Sequence, residues 1–364
     1  MLWLIADAHL SEQMYVHRPL IRGDSYRALD SIVDKILDKH EEGSVIFCGD
    51  NFNSARPSAL DVHVMMESVY RLEQKGIAVY GIQGNHDLSK KSWMDLCEVN
   101  NLHKQTIEIE GKKVYGLDYT PGARIFEELD HINREIECDI LVLHQSFVHL
   151  CPFDSYSLEV DDIPGSVREA VVSGHIHIPD KRENSLGISV VSPGATHPRS
   201  ISQPSGTFIQ YNDKDFLHIA TPSSRLIKRF FVFDKPSMEE TVEELEKLEY
   251  MTKKGFDEWP LIEIKYHVDC ISYLEKLNKY IDRCHLFTKA HAESLMDPAE
   301  EIQIDMNTSK KDILEQCIDK DSPEFKLTMT LLESNPTLVI EELDAEFRSV
   351  IKEIKDEAKE TETA

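Results

Sequence analysis

The sequence predicts an α/β fold: layered sheet and helix first, then a small α/β capping domain, then a helical C-terminal extension. Three observations carry that expectation. The first 200 or so residues alternate short apolar runs with stretches of helical periodicity. After Ser173 the strands crowd together, and around Lys235-Pro236 the texture becomes Glu-rich and helical. From Ser309 onward the chain is acidic, with helical spacing of its apolar residues.

In chain order, Leu2–Ala6, Val45–Cys48, Val79–Ile82 and Ile140–Leu143 are apolar runs short enough to be buried strands. Between the first two, Leu29, Ile32, Val33, Ile36 and Leu37 follow the spacing of an amphipathic helix, with Asp24 or Ser25 as its cap. A second helix is expected from Ser58 to Lys75, closed by Gly76. Glu110-Gly111 sits where a hairpin turn would join Thr106–Ile109 to Lys113–Leu117. Further strands are expected at Ile188–Val191, Thr207–Tyr211, Phe216–Ala220 and Phe230–Phe233, with Asn212-Asp213 as a second hairpin turn. A helix at Met238–Glu249, a strand at Leu261–Val268 and a helix at Ile271–Arg283 complete the capping domain. The expected domains are therefore 1–235, 236–300 and 301–364.

Composition narrows the class. At 41% hydrophobic and 29% charged, with no apolar run near the roughly 20 residues that span a bilayer, the chain is expected to be cytoplasmic and without a membrane partner. Met1-Leu-Trp-Leu-Ile-Ala-Asp7 has no positive n-region and is expected to be a buried strand, not a signal peptide. The seven cysteines are scattered and form no Cys-x-x-Cys pair, which argues against a zinc ribbon or a disulfide framework. A net charge of −26 repels a polyanion on average, so nucleic-acid chemistry would need a local patch, bound cations or a basic partner.

Five short clusters follow predicted strands: Asp7-Ala-His9, Gly49-Asp50-Asn51, Gly84-Asn85-His86-Asp87, His144-Gln145 and Gly174-His175-Ile176-His177. In extended chain, residues i and i+2 point the same way, so Asp7 with His9 and His175 with His177 can converge. Imidazole, carboxylate and amide oxygen together suit Mn²⁺, Fe²⁺ or Zn²⁺. The two oxygens of Asp50 can bridge a pair of ions roughly 3.5–4 Å apart.

These clusters, in this order, resemble the calcineurin-like metallophosphoesterase superfamily. The resemblance implies a β-sandwich flanked by helices. It also implies that Asp7, His9 and His177 hold one divalent metal, that Asn85, His144 and His175 hold another, and that Asp50 is shared. His86 would face the scissile phosphate as the catalytic residue. From the residues alone, Asp87 either orients His86 by hydrogen bonding or caps the following turn.

Gly49-Asp50-Asn51-Phe52-Asn53-Ser54-Ala55-Arg56-Pro57-Ser58, Leu143-His144-Gln145 and Ser192-Pro193-Gly194-Ala195 are similar to segments of SbcD-type DNA repair nuclease subunits. That likeness implies two metal ions, Mn²⁺ by expectation, DNA as substrate, a symmetric homodimer and an SbcC-type ATPase partner. The apolar stripe Val339, Leu343, Phe347, Val350, Ile351 and Ile354 is the candidate docking helix for that partner, the alternative being that it packs on the chain's own capping domain. Asn53 departs from the histidine or aspartate of related chains, which bears on the balance of exonuclease and endonuclease activity. Arg56, Lys90, Lys91, Arg124, Arg182 and Arg199 are basic residues that could follow a phosphate backbone. Arg56, Lys90 and Lys91 are favoured because they flank metal loops. Two other readings stay open on this fold: a phosphatase or cyclic-nucleotide phosphodiesterase, and a metal-free scaffold.

Overall fold

A computed structural model describes residues 1–11, 23–39, 43–152, 155–199, 203–213, 215–249, 260–280 and 284–291. All of them belong to one unit, Met1–Ala292. The expected extension 301–364, with the docking stripe from Val339 to Ile354, lies outside the described residues.

The chain runs β1 (Leu2–Ile5), α1 (Asp24–Asp38), β2 (Ser44–Cys48), α2 (Ala59–Glu73) and β3 (Ala78–Ile82). A short α3 (Trp93–Leu96) and β4 (Asn100–Asn101) lead to the hairpin of β5 (Thr106–Ile109) and β6 (Lys112–Gly116). Next come α4 (Arg124–Glu135), β7 (Cys138–His144), β8 (Val167–Gly174), β9 (Asp180–Glu183) and β10 (Ser189–Ser192). A second hairpin, β11 (Thr207–Asn212) and β12 (Asp215–Ala220), precedes β13 (Ile227–Val232) and α5 (Lys235–Glu249). The described chain ends with β14 (Leu261–His267) and β15 (His285–His291).

Two six-stranded sheets result, in the orders β12-β11-β1-β2-β3-β4 and β5-β6-β7-β8-β10-β9. Within each, the central strands β1, β2 and β3, and β6, β7, β8 and β10, pair in parallel. Strands buried on both faces need continuous apolar sequence, and alternate residues then enter different cores. Leu2 and Leu4 face inward with Ile46, Cys48 and Ile82, against Ile140, Val142, Ala170 and Val172 of the second sheet. Trp3 and Ile5 face outward with Val45 and Phe47, against Leu29, Ile32 and Ile36 of α1 and Met65, Val69 and Leu72 of α2. Leu141, Leu143 and Val171 do the same under Ile125, Leu129 and Ile132 of α4. The layers are helix, sheet, sheet, helix, and each fully buried large aliphatic or aromatic side chain contributes about 1.5–3 kcal/mol.

Local chemistry sets the joints. Ser58 caps α2: its Oγ accepts from Asp61 N (3.2 Å), and Asp61 Oδ2 accepts from Ser58 N (2.7 Å). In the first hairpin Glu110 and Gly111 both take positive φ, 50° and 73°, the twist that a two-residue turn between right-twisted strands needs.

A third, three-stranded sheet, β13-β14-β15, is parallel throughout. It takes in Ile227–Val232, so the strand expected at Phe230–Phe233 pairs with Leu261–His267, ahead of the boundary expected at 235. The connection is α5, long enough for the crossover that parallel pairing requires. The helix expected at Ile271–Arg283 is wound as 3₁₀ turns over Val268–Tyr280. Cys270, Leu277 and Tyr280 of this segment are buried in the core of the small sheet. Among the described residues, no helix is long and apolar enough to cross a membrane.

Candidate metal centre

The C-terminal ends of β1, β2 and β3 in one sheet and of β7 and β8 in the other carry the five clusters to one place. Open α/β sheets gather ligands at this end of their strands. The route differs from the extended geometry expected from sequence. Asp7, His9, Asp50 and His175 all take left-handed backbone, with φ of 52°, 42°, 51° and 83°. Asp7 and His9 therefore converge through a kink and not through strand alternation. The kink is held by amides, with Asp7 N donating to Gly49 O (3.1 Å) and His9 N to Asp50 O (2.9 Å). Such conformations cost about 1–3 kcal/mol each and persist where neighbours over-determine them.

Glycine permits the crowding. A Cβ at Gly84 would collide with the Asp50 carboxylate and backbone nitrogen, and one at Gly49 with the His144 ring. The close approach is thus between the loops themselves.

His9 Nε2 lies 3.0 Å from His177 Nε2, and these nitrogens sit 3.8 and 3.6 Å from Asp7 Oδ1. Asp50 Oδ2 is 3.5 Å from His9 Nε2 and 3.4 Å from His144 Nε2, so one carboxylate reaches both sides. His175 Nδ1 lies 2.8 Å from Asn85 Oδ1, and the His175 backbone N–H donates to both Asp7 oxygens (3.2 and 3.1 Å). The groups Asp7–His9–His177 and Asp50–His144–His175 each bring one donor atom per residue within 4.8 Å of the others, as do His9, Asp50 and His86. Tyr119 lies against the outer side, its ring 5.7 Å from that of His175 and 6.3 Å from that of His144.

Do these donors fit divalent cations? Asp7, His9, Asp50 and His144 are essentially inaccessible to solvent, while Asn85, His86, His175 and His177 are half-buried and form the open side. Burial, opposed by His144 and reinforced by Asp50, pushes the Asp7 carboxyl up to about 8. Burial also acts against the charge of Asp50, yet His144 and His9 hold its carboxyl well below the usual range. Burial pushes His177 down to about 4 and His9 well below its ordinary value, which leaves both as neutral donors. His144 resists burial and rises to about 9 through Asp50 and Asp7. Its Nδ1 donates to the Cys48 carbonyl (2.8 Å), while its buried Nε2 has no hydrogen-bond partner. Two buried acidic groups and imidazole nitrogens face one another here, and divalent cations among them would hold the carboxyl groups ionised and His144 neutral. The residues fit two divalent cations sharing Asp50.

The structure corrects Asp87. Its hydrogen bonds run to the backbone amides of Asn51 (2.7 Å), Phe52 (3.3 Å) and Gly84 (2.6 Å), and not to His86. It ties the Asp50 loop to the Asn85 loop and is a positioning residue. His86 is held elsewhere: its Nδ1 donates to the Asn53 carbonyl (3.2 Å) and its N–H to Asp50 Oδ1 (2.8 Å). Arg56, Lys90 and Lys91 are exposed on the loops that follow, and none joins the hydrogen bonds of the centre. Arg199 does, through Nη1 at 3.3 Å from His9 Nε2 and Nη2 at 2.8 Å from Asn53 Oδ1. Gln203 is a further contributor that the sequence did not single out. Its amide lies 2.6 Å from His177 Nδ1 and accepts from Arg199 N (2.7 Å). His197 is buried behind them, with Nδ1 3.2 Å from the Thr196 hydroxyl.

Comparison with known proteins gives a family and named relatives. A model of the calcineurin-like phosphoesterase superfamily domain matches residues 1–214. A "DNA double-strand break repair protein Mre11" from Haloferax volcanii is 30% identical over 242 residues, covering 63% of this chain and 52% of that protein. The protein of the same description from Methanococcus maripaludis is 28% identical over 281 residues, covering 69% and 74%. The one from Archaeoglobus fulgidus is 20% identical over 340 residues, covering 82% and 75%. The chain thus spans about half the length of the first of these relatives. A solved structure of a dimetal phosphatase from Danio rerio aligns at 13% identity and a TM-score of 0.38, over 60% of this chain and 98% of that one.

Proposed function

The chain belongs to the calcineurin-like phosphoesterase superfamily, and on that premise we propose that it is a Mn²⁺-dependent nuclease subunit that hydrolyses phosphodiester bonds in DNA. The observation that carries this reading is Asp50, whose one carboxylate lies between His9 and His144 at 3.5 and 3.4 Å. Asp7, His9 and His177 would hold one ion, Asn85, His144 and His175 the other, and Asp50 both. Bound there, divalent cations supply a nucleophilic water near neutral pH and neutralise phosphoryl charge.

The chain's own residues do the rest. Asp87 fixes the separation of the two ligand loops through three backbone amides. The Asn53 carbonyl accepts a hydrogen bond from His86 Nδ1–H, which leaves Nε2 to face a leaving oxygen and to protonate it when the ring carries a second proton. DNA as substrate is supported by the printed descriptions of the relatives. An SbcC-type ATPase docked through Val339–Ile354 would supply the DNA contact that a chain of net charge −26 disfavours, and the same likeness implies a symmetric dimer.

The test is digestion of end-labelled duplex DNA by the purified chain with Mn²⁺, with and without the co-purified partner. Metal content is measured on the same samples, and His86→Asn is the control. Cleavage that needs Mn²⁺ and is abolished in His86→Asn, with metal retained, supports the reading. Rapid turnover of small phosphomonoesters with no DNA cleavage under any condition would replace it with the phosphatase alternative.

A further inference from the structure

We propose that Arg199 is a clamp for the substrate phosphate, and that Asn53 holds it in place without consuming its charge. The inference rests on the phosphodiesterase reading above and names the group that would bind the anion. Arg199 reaches the centre from the irregular segment after β10. Its guanidinium spans from Asn53 Oδ1 (2.8 Å) to His9 Nε2 (3.3 Å), and its backbone N–H is fixed by Gln203 (2.7 Å). Gln203 in turn lies against His177 Nδ1 (2.6 Å), so Arg199 is anchored to both histidines of the Asp7 cluster.

Two features make this a phosphate site and not merely a structural strut. A lone pair on His9 Nε2 cannot serve a guanidinium N–H and a metal ion together. Loading the centre therefore turns the Nη1 donor toward the anion that the centre binds. Guanidinium is also permanently charged and presents a planar fork of donors matched to phosphate oxygens.

Asn53 supplies the selectivity of the arrangement. Its amide oxygen orients Nη2 and is neutral, so Asn53 itself offsets none of the positive charge, whereas a carboxylate at that place would form an ion pair with it. The same residue's carbonyl accepts from His86 Nδ1 (3.2 Å). One residue therefore positions two groups, Arg199 and His86, whose side chains both lie beside His9, the ring centroids of His9 and His86 being 4.9 Å apart. Sequence alone gave Arg56 and Lys90-Lys91 better standing as phosphate contacts, because they lie next to ligand motifs; Arg199 gets there through the fold.

The experiment compares the Mn²⁺-loaded full chain with R199A, R199K, N53A and N53D. Bound metal is measured first, then the equilibrium binding of inorganic phosphate by titration calorimetry, then kcat and KM on bis(p-nitrophenyl) phosphate. R199A should keep the metal content of the wild type and bind phosphate about 10–100-fold more weakly, the range of a lost charge-assisted contact. R199K, which keeps the charge without the fork, should fall between them. N53D should be weaker than N53A, because added negative charge neutralises the clamp whereas a missing amide only loosens it. R199A that binds phosphate as the wild type does, or that loses its metal, overturns the clamp while leaving the phosphodiesterase reading in place. N53A as weak as N53D overturns the assignment of Asn53. A wild-type chain that takes up neither metal nor phosphate removes the reading of the centre, and the clamp with it.

Discussion

The metal centre and the small sheet are built on opposite principles. At the centre, charged and polar groups are buried, four ligand candidates have left-handed backbone, and glycines bring loops too close for any side chain. In the small sheet the arrangement is ordinary. Val232, Ile262 and Ile264 pack on Met238 and Leu245 of α5, while Phe231 and Phe233 stay exposed. Ion pairs around it, such as Lys247–Glu244 and Lys235–Glu239, are on the surface, where each contributes little. One region is strained and chemically demanding, the other apolar and tolerant. The chain concentrates its exceptions where it binds.

That contrast is open to direct attack. The largest expected effect is at the shared ligand. Asp50→Asn keeps the shape but removes the negative charge between His9 and His144. Phosphodiester hydrolysis should fall by more than about 10⁴-fold, because the loss includes several kcal/mol of charge stabilisation from displaced metal. Metal analysis should show fewer than two ions per chain. Full occupancy with unchanged rate would mean that the centre is not organised around this carboxylate.

The mirror experiment is Ile264→Ala, at a fully buried position of β14. It should cost about 2–5 kcal/mol of stability by cavity formation, seen in chemical denaturation. Metal content and turnover of a small diester should hold at temperatures where the variant stays folded. If metal content falls with the packing defect, the two regions are coupled and the contrast fails.

What could be read in the sequence divides along the same line. The ligand types were legible, because an Asp-x-His or Gly-His-x-His after an apolar run is rare chemistry in a conspicuous place. The manner of convergence was not, since left-handed φ at Asp7 and His9 is enforced by amides donating to Gly49 and Asp50, far along the chain. Arg199 was visible only as one positive charge among several, because no spacing links it to His9 or Asn53. Asp87 was assigned to its sequence neighbour His86, whereas its real partners include Asn51 and Phe52. In the small sheet the strands expected at Phe230–Phe233 and Leu261–Val268 were legible, and β15 (His285–His291) was not. Strand, helix, strand over Ile227–Val232, Lys235–Glu249 and Leu261–His267 is itself the signature of a parallel crossover. The fold of α4 was also available from Ile125, Leu129 and Ile132, a helical spacing that went unread.

A smaller effect should come from Asp87→Asn. With its amide oxygen at the Oδ2 place the variant still accepts from Asn51 and Phe52, but its NH₂ faces the Gly84 N–H, and all three N–H groups lose a charged acceptor. We expect a loss of about 1–3 kcal/mol in stability and roughly 10–100-fold in metal affinity. Loss of catalysis at saturating metal, with affinity unchanged, would instead return Asp87 to a place beside His86.

The smallest expected effect tests where the ligand loop is anchored. The segment from Asp50 to Ser58 ends at the N-terminus of α2, where Ser58 and Asp61 cap each other. Asp61 also accepts a hydrogen bond from Tyr26 of α1 (2.5 Å), so the carboxylate half of the cap is fastened independently. Ser58→Ala removes only the hydroxyl that accepts from Asp61 N, at a cost of about 1 kcal/mol. If the loop is positioned from its near end, by Asp87 gripping the amides of Asn51 and Phe52, that loss stays in the helix and metal affinity does not move. If affinity drops along with stability, the cap helps to set the geometry of Asp50, and the strained centre depends on its far, unstrained support. Metal titration of Ser58→Ala, beside its denaturation midpoint, separates the two.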